Sequence, residues 1–236
     1  MTGIKTFMAG KWAPPAGRPA QFLLLLALAL LIRAPAFGEW NYDIDEQFYA
    51  LVGQRLLAGA LPYVDIWDRK PPALYLTYSA ISLVSRSFVA YHLAATLSAT
   101  LGAFGLARLA QRFTGPPGAL MAAAAYLVLL SRFGGASGQA PVWFNTLMIF
   151  AAWAIVSRIE LLRRGRIDAV IVAGMASAGL AIAFKQSAAI EGLFFGLWIA
   201  VLLLRSGAPL PHVAARLLLL AMAGALPMAT TFACYL

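Results

Sequence analysis

The chain has 236 residues, of which 62% are hydrophobic and 11% charged, and its mean hydropathy is +0.80. A soluble core of this length cannot bury so much apolar surface, so an ordinary soluble domain is excluded and lipid is the expected solvent. The net charge of +9 does not indicate nucleic acid, because the basic residues stand singly or in short clusters at the ends of apolar stretches, where such residues set membrane orientation and meet anionic headgroups. The single Cys234 permits no internal disulfide, and His92 and His212 match no metal-ligand spacing. No cofactor is expected, and a divalent metal is not indicated.

Eight apolar stretches follow one another at about 20–37, 71–86, 88–110, 116–132, 141–162, 167–184, 187–204 and 212–236. They predict an all-α polytopic transmembrane helix bundle, a single transmembrane domain over 1–236. The first stretch is preceded by Lys5, Lys11 and Arg18 and followed by "APA", which resembles a signal peptide with its small-residue cleavage site. Arg33 and Pro35 fit such a site poorly, so a retained first helix is the preferred reading.

The one long polar excursion is 38–70, and it holds six of the nine acidic residues: Glu39, Asp43, Asp45, Glu46, Asp65 and Asp68. Within it, 44–59 places Ile44, Phe48, Leu51, Val52 and Leu56 at helical spacing, which predicts a short amphipathic helix lying on the bilayer with Arg55 snorkelling from the same face. "DIDE" fits a capping box, with Asp43 as N-cap and Glu46 three residues on, and acids suit a helix N-terminus. Capping leaves Asp45 unexplained; four residues before Tyr49, it shares a side of the helix with that ring. Further on, Arg69 and Lys70 precede Pro71 and Pro72 at the start of an apolar helix, a natural place for proline. The pair is either a headgroup anchor or a cationic site for an anionic lipid-linked group.

Orientation follows from the arginines. The N-terminal basic group places the N-terminus inside and 38–70 outside; "SRIELLRRGR" is then inside, Lys185 outside, and Arg205 and Arg216 flank an inner loop. Four stretches lie between the outer loop and the loop at 158–166, whereas an odd number of crossings is required. One of them is incomplete, with 71–86 and 116–132 the short candidates.

"RAPAF", then "DEQFY", then "GALPYVDIWDRKPP" leading into a helix together resemble the N-terminal part of the GT-C glycosyltransferase superfamily, in particular bacterial members similar to protein O-mannosyltransferases and the aminoarabinose transferases of lipid A. The resemblance implies a polyprenyl-phosphate-linked sugar as donor, a lipid, glycan or protein acceptor, and transfer on the outer face of the cytoplasmic (inner) membrane. It implies that Asp45, with Glu46 beside it, acts at the acceptor and that Lys70 meets the donor phosphate, with Arg69 and Tyr49 close by. "FKQSA" resembles a Lys-Gln of the same family, so Lys185 and Gln186 complete the phosphate site. Such chemistry needs negative charge stabilised on the leaving phosphate and a carboxylate to take the acceptor proton.

Two departures matter. Where relatives carry a second acid in the next outer loop, "GQAPVWFNTL" offers Asn145, which can hydrogen-bond substrate but cannot act as a base. The family also usually runs to greater length, so the chain is expected to correspond to the N-terminal portion of a longer enzyme, inactive on its own. Two other classes compete: a non-catalytic lipid-binding or assembly subunit, and a transporter, the latter disfavoured by the scarcity of ionisable residues within the spans.

Overall fold

The computed structural model describes residues 17–39 and 41–233; Lys5, Lys11 and Cys234 lie outside them. The fold is all-helical, with no named strand among the described residues. In chain order the helices are α1 (Arg18–Arg33, continued by a 3-10 turn Ala34–Ala36), α2 (Ile44–Leu57), α3 (Pro72–Val84), α4 (Phe88–Ala110), α5 (Pro116–Leu130), α6 (Ala140–Ser157), α7 (Ile159–Arg163), α8 (Ala169–Phe184), α9 (Ala189–Leu204) and α10 (Leu210–Ala233). Among the described residues, six segments are long and apolar enough to cross a bilayer: Arg18–Ala36, Phe88–Ala110, Pro116–Gly135, Ala140–Ser157, Gln186–Leu204 and Leu210–Ala233. The protein is a multi-pass helical bundle.

Polar contacts sort the helix termini into two ends. At one end, Arg158 pairs with Asp168 at 2.6 Å, Arg112 reaches the Val156 carbonyl, and Phe22 near the start of α1 meets Phe104 near the end of α4. This is the arginine end. At the other, Arg33 reaches the 135–137 backbone, Gly38 N–H reaches His92, and Lys185 lies over Phe144. Segment 38–70 belongs to this second end, the site end.

The crossing count closes once α3 is followed. Its first turn meets Tyr49 and Asp68; near its end, Ser82 bonds Tyr91 in the first turn of α4 at 2.7 Å. Both termini therefore lie at the site end, and a 13-residue helix, about 20 Å long, does not connect the two ends. Of the two short stretches, 71–86 is the one that does not cross, and 116–132 is extended to full length by the turn Ser131–Gly135. The 16-residue α8 runs from Asp168 at the arginine end to Lys185 at the site end.

Close helix packing relies on small residues, as suits bundles in which lipid replaces water. Ala95, Ala99, Ala103 and Ala107 line one face of α4 at every fourth residue and pack with Leu25 and Ala29 of α1 and Ala123 and Leu127 of α5. At the site end α2 crosses α3 at Gly53, where a Cβ would come within 2.8 Å of the Ser79 nitrogen; Ser79 Oγ donates to the Gly53 carbonyl at 3.0 Å.

The buried face of α2 overlaps the expected one in part: Val52 is buried and Phe48 and Leu56 pack against the core, but Ile44 is 80% exposed and Leu51 50% exposed. Glu46, Tyr49, Ala50 and Gly53, at helical spacing, complete the buried side, so contact with α3 and the buried carboxylate turn the inward face away from Ile44 and Leu51.

With Cys234 replaced by Ser, single cysteines at Leu61, Trp67 and Arg86 are expected to react with one and the same side-specific, membrane-impermeant thiol reagent, from outside if the N-terminus is inside. A cysteine at Arg163 reacts only after permeabilisation. Labelling of the Arg86 position from the side opposite Trp67 would show that α3 crosses.

Candidate functional site

The site end is assembled around one peptide unit. Arg33, the last residue of α1, is 2% exposed. Its Nε donates to Thr96 Oγ1 at 2.9 Å, its Nη2 to the Ser137 carbonyl at 2.9 Å, and its Nη1 to the Gly135 carbonyl. Glu46, in the first turn of α2, is 1% exposed, and its Oε1 accepts from Gly138 N–H at 3.0 Å. The Ser137 carbonyl and the Gly138 N–H belong to the same peptide plane and point in opposite directions. A buried cation and a buried anion thus face opposite edges of one peptide, with its dipole aligned favourably to both. An enclosed charge is stable only when it is paired and hydrogen-bonded.

The remaining Glu46 contacts are equally complete. Tyr78 Oη donates at 3.2 Å, and His92 Nε2 lies 2.9 Å from Oε2. Because His92 Nδ1 accepts from Gly38 N–H at 3.2 Å, the ring proton is on Nε2 and points at Glu46. The Gly138 carbonyl, 2.9 Å from Tyr78 Oη, shares that hydroxyl's single proton with Glu46 and also accepts from Trp143 Nε1 at 2.9 Å. Glu46, expected beside Asp45 at the acceptor, is therefore placed inside the protein as a positioning group joining α2, α3, α4 and the 131–139 segment. The capping box is half built: Asp43 caps α2 by accepting from Asp45 N–H at 3.0 Å, while the Glu46 oxygens turn inward.

Asp45 occupies the opposite situation. It is exposed, and its Oδ2 accepts from Tyr49 Oη at 3.3 Å and from Gln139 Nε2 at 3.2 Å. Gln139 Nε2 also lies 3.0 and 2.9 Å from the two Asp43 oxygens, and Ser137 Oγ donates to Asp43 at 2.6 Å. Burial, reinforced by the neighbouring Asp45 carboxylate, raises the Tyr49 hydroxyl well above the usual phenol range, so it remains a proton donor to Asp45.

The same Tyr49 ring carries Lys70, whose Nζ stands 5.8 Å from the ring centroid. The backbone that delivers Lys70 is fixed: Tyr63 Oη donates to the Lys70 carbonyl at 2.8 Å, Asp68 accepts from Arg69 N–H at 2.6 Å, and Tyr75 Oη donates to Asp68. Lys185 approaches from α8, its Nζ 5.6 Å from the centroid of Phe144, which shares a core cluster with Tyr49. Neither lysine is in an ion pair among the described residues. A lysine over an aromatic face keeps its N–H donors available to an anion. No three His, Cys, Asp or Glu side chains converge among the described residues.

Other expected residues are set apart. Arg69 and Gln186 are exposed beside Lys70 and Lys185 respectively. Asn145 does not join Asp45: it follows Phe144 by one residue, about 100° around α6, and lines a cavity toward α4 and α5. The residue of "GQAPVWFNTL" that reaches the outer carboxylates is Gln139. Arg33, Tyr78, His92 and Ser137 were not among the expected site residues; Arg33, an arginine closing an apolar span, was the one visible irregularity.

Gly138 has no room for a side chain, since an added Cβ would lie 2.6 Å from Glu46 Oε1 and overlap Tyr78 Oη. Gly138→Ala is expected to destabilise the protein by about 1–3 kcal/mol, read as a lowered thermal unfolding midpoint in detergent. An unchanged midpoint would show that the peptide is not clamped.

A search against protein families, curated proteins and solved structures finds no match to this chain.

Proposed function

We propose that the protein is a membrane glycosyltransferase of the GT-C type, or the N-terminal portion of one, that moves a sugar from a polyprenyl-phosphate donor to a hydroxyl-bearing acceptor. The site end is taken to lie on the outer face of the cytoplasmic membrane. The observation that carries the reading is the division of labour among neighbouring acids: Glu46 is enclosed and spent on protein donors, whereas Asp45 is exposed next to the Tyr49 ring over which Lys70 is held.

In this reading the acceptor oxygen forms a bond to the anomeric carbon as the bond from that carbon to the phosphate oxygen breaks. The acceptor proton passes to Asp45, and the released electron pair stays on the polyprenyl phosphate. Lys70 binds that phosphate and stabilises its added charge, with Lys185 and Gln186 contributing from α8. Tyr49 orients Asp45 through its hydroxyl. Gln139 holds Asp43 and Asp45 in place without supplying a base.

In whatever complete form of the protein transfers sugar, Asp45→Asn is expected to lower transfer by about 10²–10⁴-fold while leaving binding of a polyprenyl-phosphate sugar to the purified protein unchanged. Lys70→Ala is expected to weaken that binding about 10–100-fold, measured in lipid nanodiscs, with no loss of folded protein. Equal transfer by wild type and Asp45→Asn, or equal donor affinity in Lys70→Ala, would remove the basis for the assignment and favour a non-catalytic lipid-binding role.

A further inference from the structure

Among the described residues, Tyr63 is the one residue other than glycine whose backbone lies in the left-handed region, at φ +64°. A side chain there crowds its own backbone, so such positions ordinarily fall to glycine or asparagine. The turn around it explains the conformation but not the tyrosine. Leu61 N–H donates to Asp65 at 2.7 Å, Asp65 N–H returns to the Leu61 carbonyl at 2.9 Å, and Tyr63 N–H closes on the Ile66 carbonyl at 2.8 Å. All of these run through the backbone or Asp65, and a glycine at 63 would make them without strain. What glycine could not supply is the ring hydroxyl, which donates to the Lys70 carbonyl at 2.8 Å.

That carbonyl is the only hydrogen-bonding handle on its peptide. The Lys70–Pro71 bond carries no N–H, and Pro72 follows with none either. Pro71 holds φ −67° and ψ 160° and keeps Lys70 out of the helical region. On one side, then, the chain is stiff up to the first turn of α3; on the other, Asp68 is fixed by Tyr75 Oη and by Arg69 N–H. The Tyr63 bond sets what freedom is left, the tilt of the rigid Lys70–Pro71 peptide plane between those anchors. Burial, with the Asp68 carboxylate adding to it, raises the Tyr63 hydroxyl above the usual phenol range, so it stays protonated and donates. From a base held in this way the Lys70 side chain reaches the Tyr49 ring, its Nζ 5.8 Å from the centroid.

We infer that Tyr63 is a positioning residue for Lys70: its hydroxyl fixes the peptide plane from which the ammonium is presented over Tyr49, and the left-handed backbone at 63 is strain retained for that contact. The consequence for a bound donor rests on the phosphate role given to Lys70 above. The consequence for the lysine itself does not.

The chain has four lysines, Lys5, Lys11, Lys70 and Lys185. Reductive methylation of the full chain in detergent with carbon-13 formaldehyde therefore gives few enough NMR signals to assign by replacing each lysine in turn with arginine. The Lys70 signal is expected upfield of its position in the unfolded chain, shifted by the Tyr49 ring. Tyr63→Phe, which removes one oxygen without changing shape, is expected to move that signal toward the unfolded position and to leave the Lys185 signal in place. An unmoved Lys70 signal would overturn the inference, whatever happens to the donor. In lipid nanodiscs, Tyr63→Phe is expected to weaken binding of a polyprenyl-phosphate sugar about two- to tenfold, and to have no further effect in the Lys70→Ala background. An equal loss in both backgrounds would show that Tyr63 does not act through Lys70. No loss from Lys70→Ala, with the Lys70 signal still moving in Tyr63→Phe, would sink the phosphate reading and leave the positioning role standing. Tyr63→Gly is expected to melt above Tyr63→Ala, because glycine alone is at ease at positive φ; the reverse order would mean that no strain is held at 63 and would overturn that half of the inference.

Discussion

The site end depends on a peptide plane held between two buried charges. Arg33 on one side and Glu46 on the other fix the Ser137–Gly138 unit, and each charge brings its own element: α1 through Arg33, α2 through Glu46. His92 and Tyr78 attach α4 and α3 to the same carboxylate. Four helices and the turn between α5 and α6 thus converge on a region a few residues across. Breaking a buried charge pair by removing one partner typically costs about 3–5 kcal/mol, because the other is left enclosed and uncompensated. The arrangement tolerates little change, and that rigidity is what a precisely shaped surface above it requires.

The exposed chemistry inherits its position from this interior. Glu46 sets the first turn of α2, so Asp45 in the same turn faces out, and Tyr49 one turn later points its hydroxyl back to Asp45 and its ring to Lys70. Lys70 lies in the same segment as Asp45, just before α3, and because α3 does not cross, α4 also begins at that end. Lys185 arrives there by a different route, at the end of α8, which spans from the arginine end with only 16 residues. Gln139 ties the two outer carboxylates to the segment that the buried charges hold.

Much of this was legible in the sequence wherever the signal was local. Apolar length marked the spans, arginine clusters marked one end, Asp43 before Ile44 marked a helix start, and the four-residue spacing of Asp45 and Tyr49 marked a shared face. The odd number of crossings even required an incomplete stretch, although only the contacts of Ser82 and Tyr75 show that it is α3. What stayed hidden was non-local or chemically atypical. Glu46 and His92 are 46 residues apart and Arg33 and Ser137 are 104 apart, and pairing of buried polar groups leaves no periodic trace. Hydrophobic spacing on α2 points to Phe48, Val52 and Leu56, which do pack inward, and to Ile44 and Leu51, which are exposed, and it passes over Glu46 and Gly53, which no hydropathy scale would turn inward. Asn145 stands in the loop where the resembled family carries a second acid, but Gln139, six residues earlier, is the residue within reach of Asp43 and Asp45.

The dependence of the site end on the peptide bridge is tested most directly by a double-mutant cycle between Arg33→Met and Glu46→Met, with unfolding free energy followed in detergent. Each single change is expected to cost about 3–5 kcal/mol, and the double change far less than their sum, because it removes both charges at once and leaves neither enclosed alone. Additivity within about 0.5 kcal/mol would mean that the two charges do not sense one another across the Ser137–Gly138 peptide, and that something else holds the site end together.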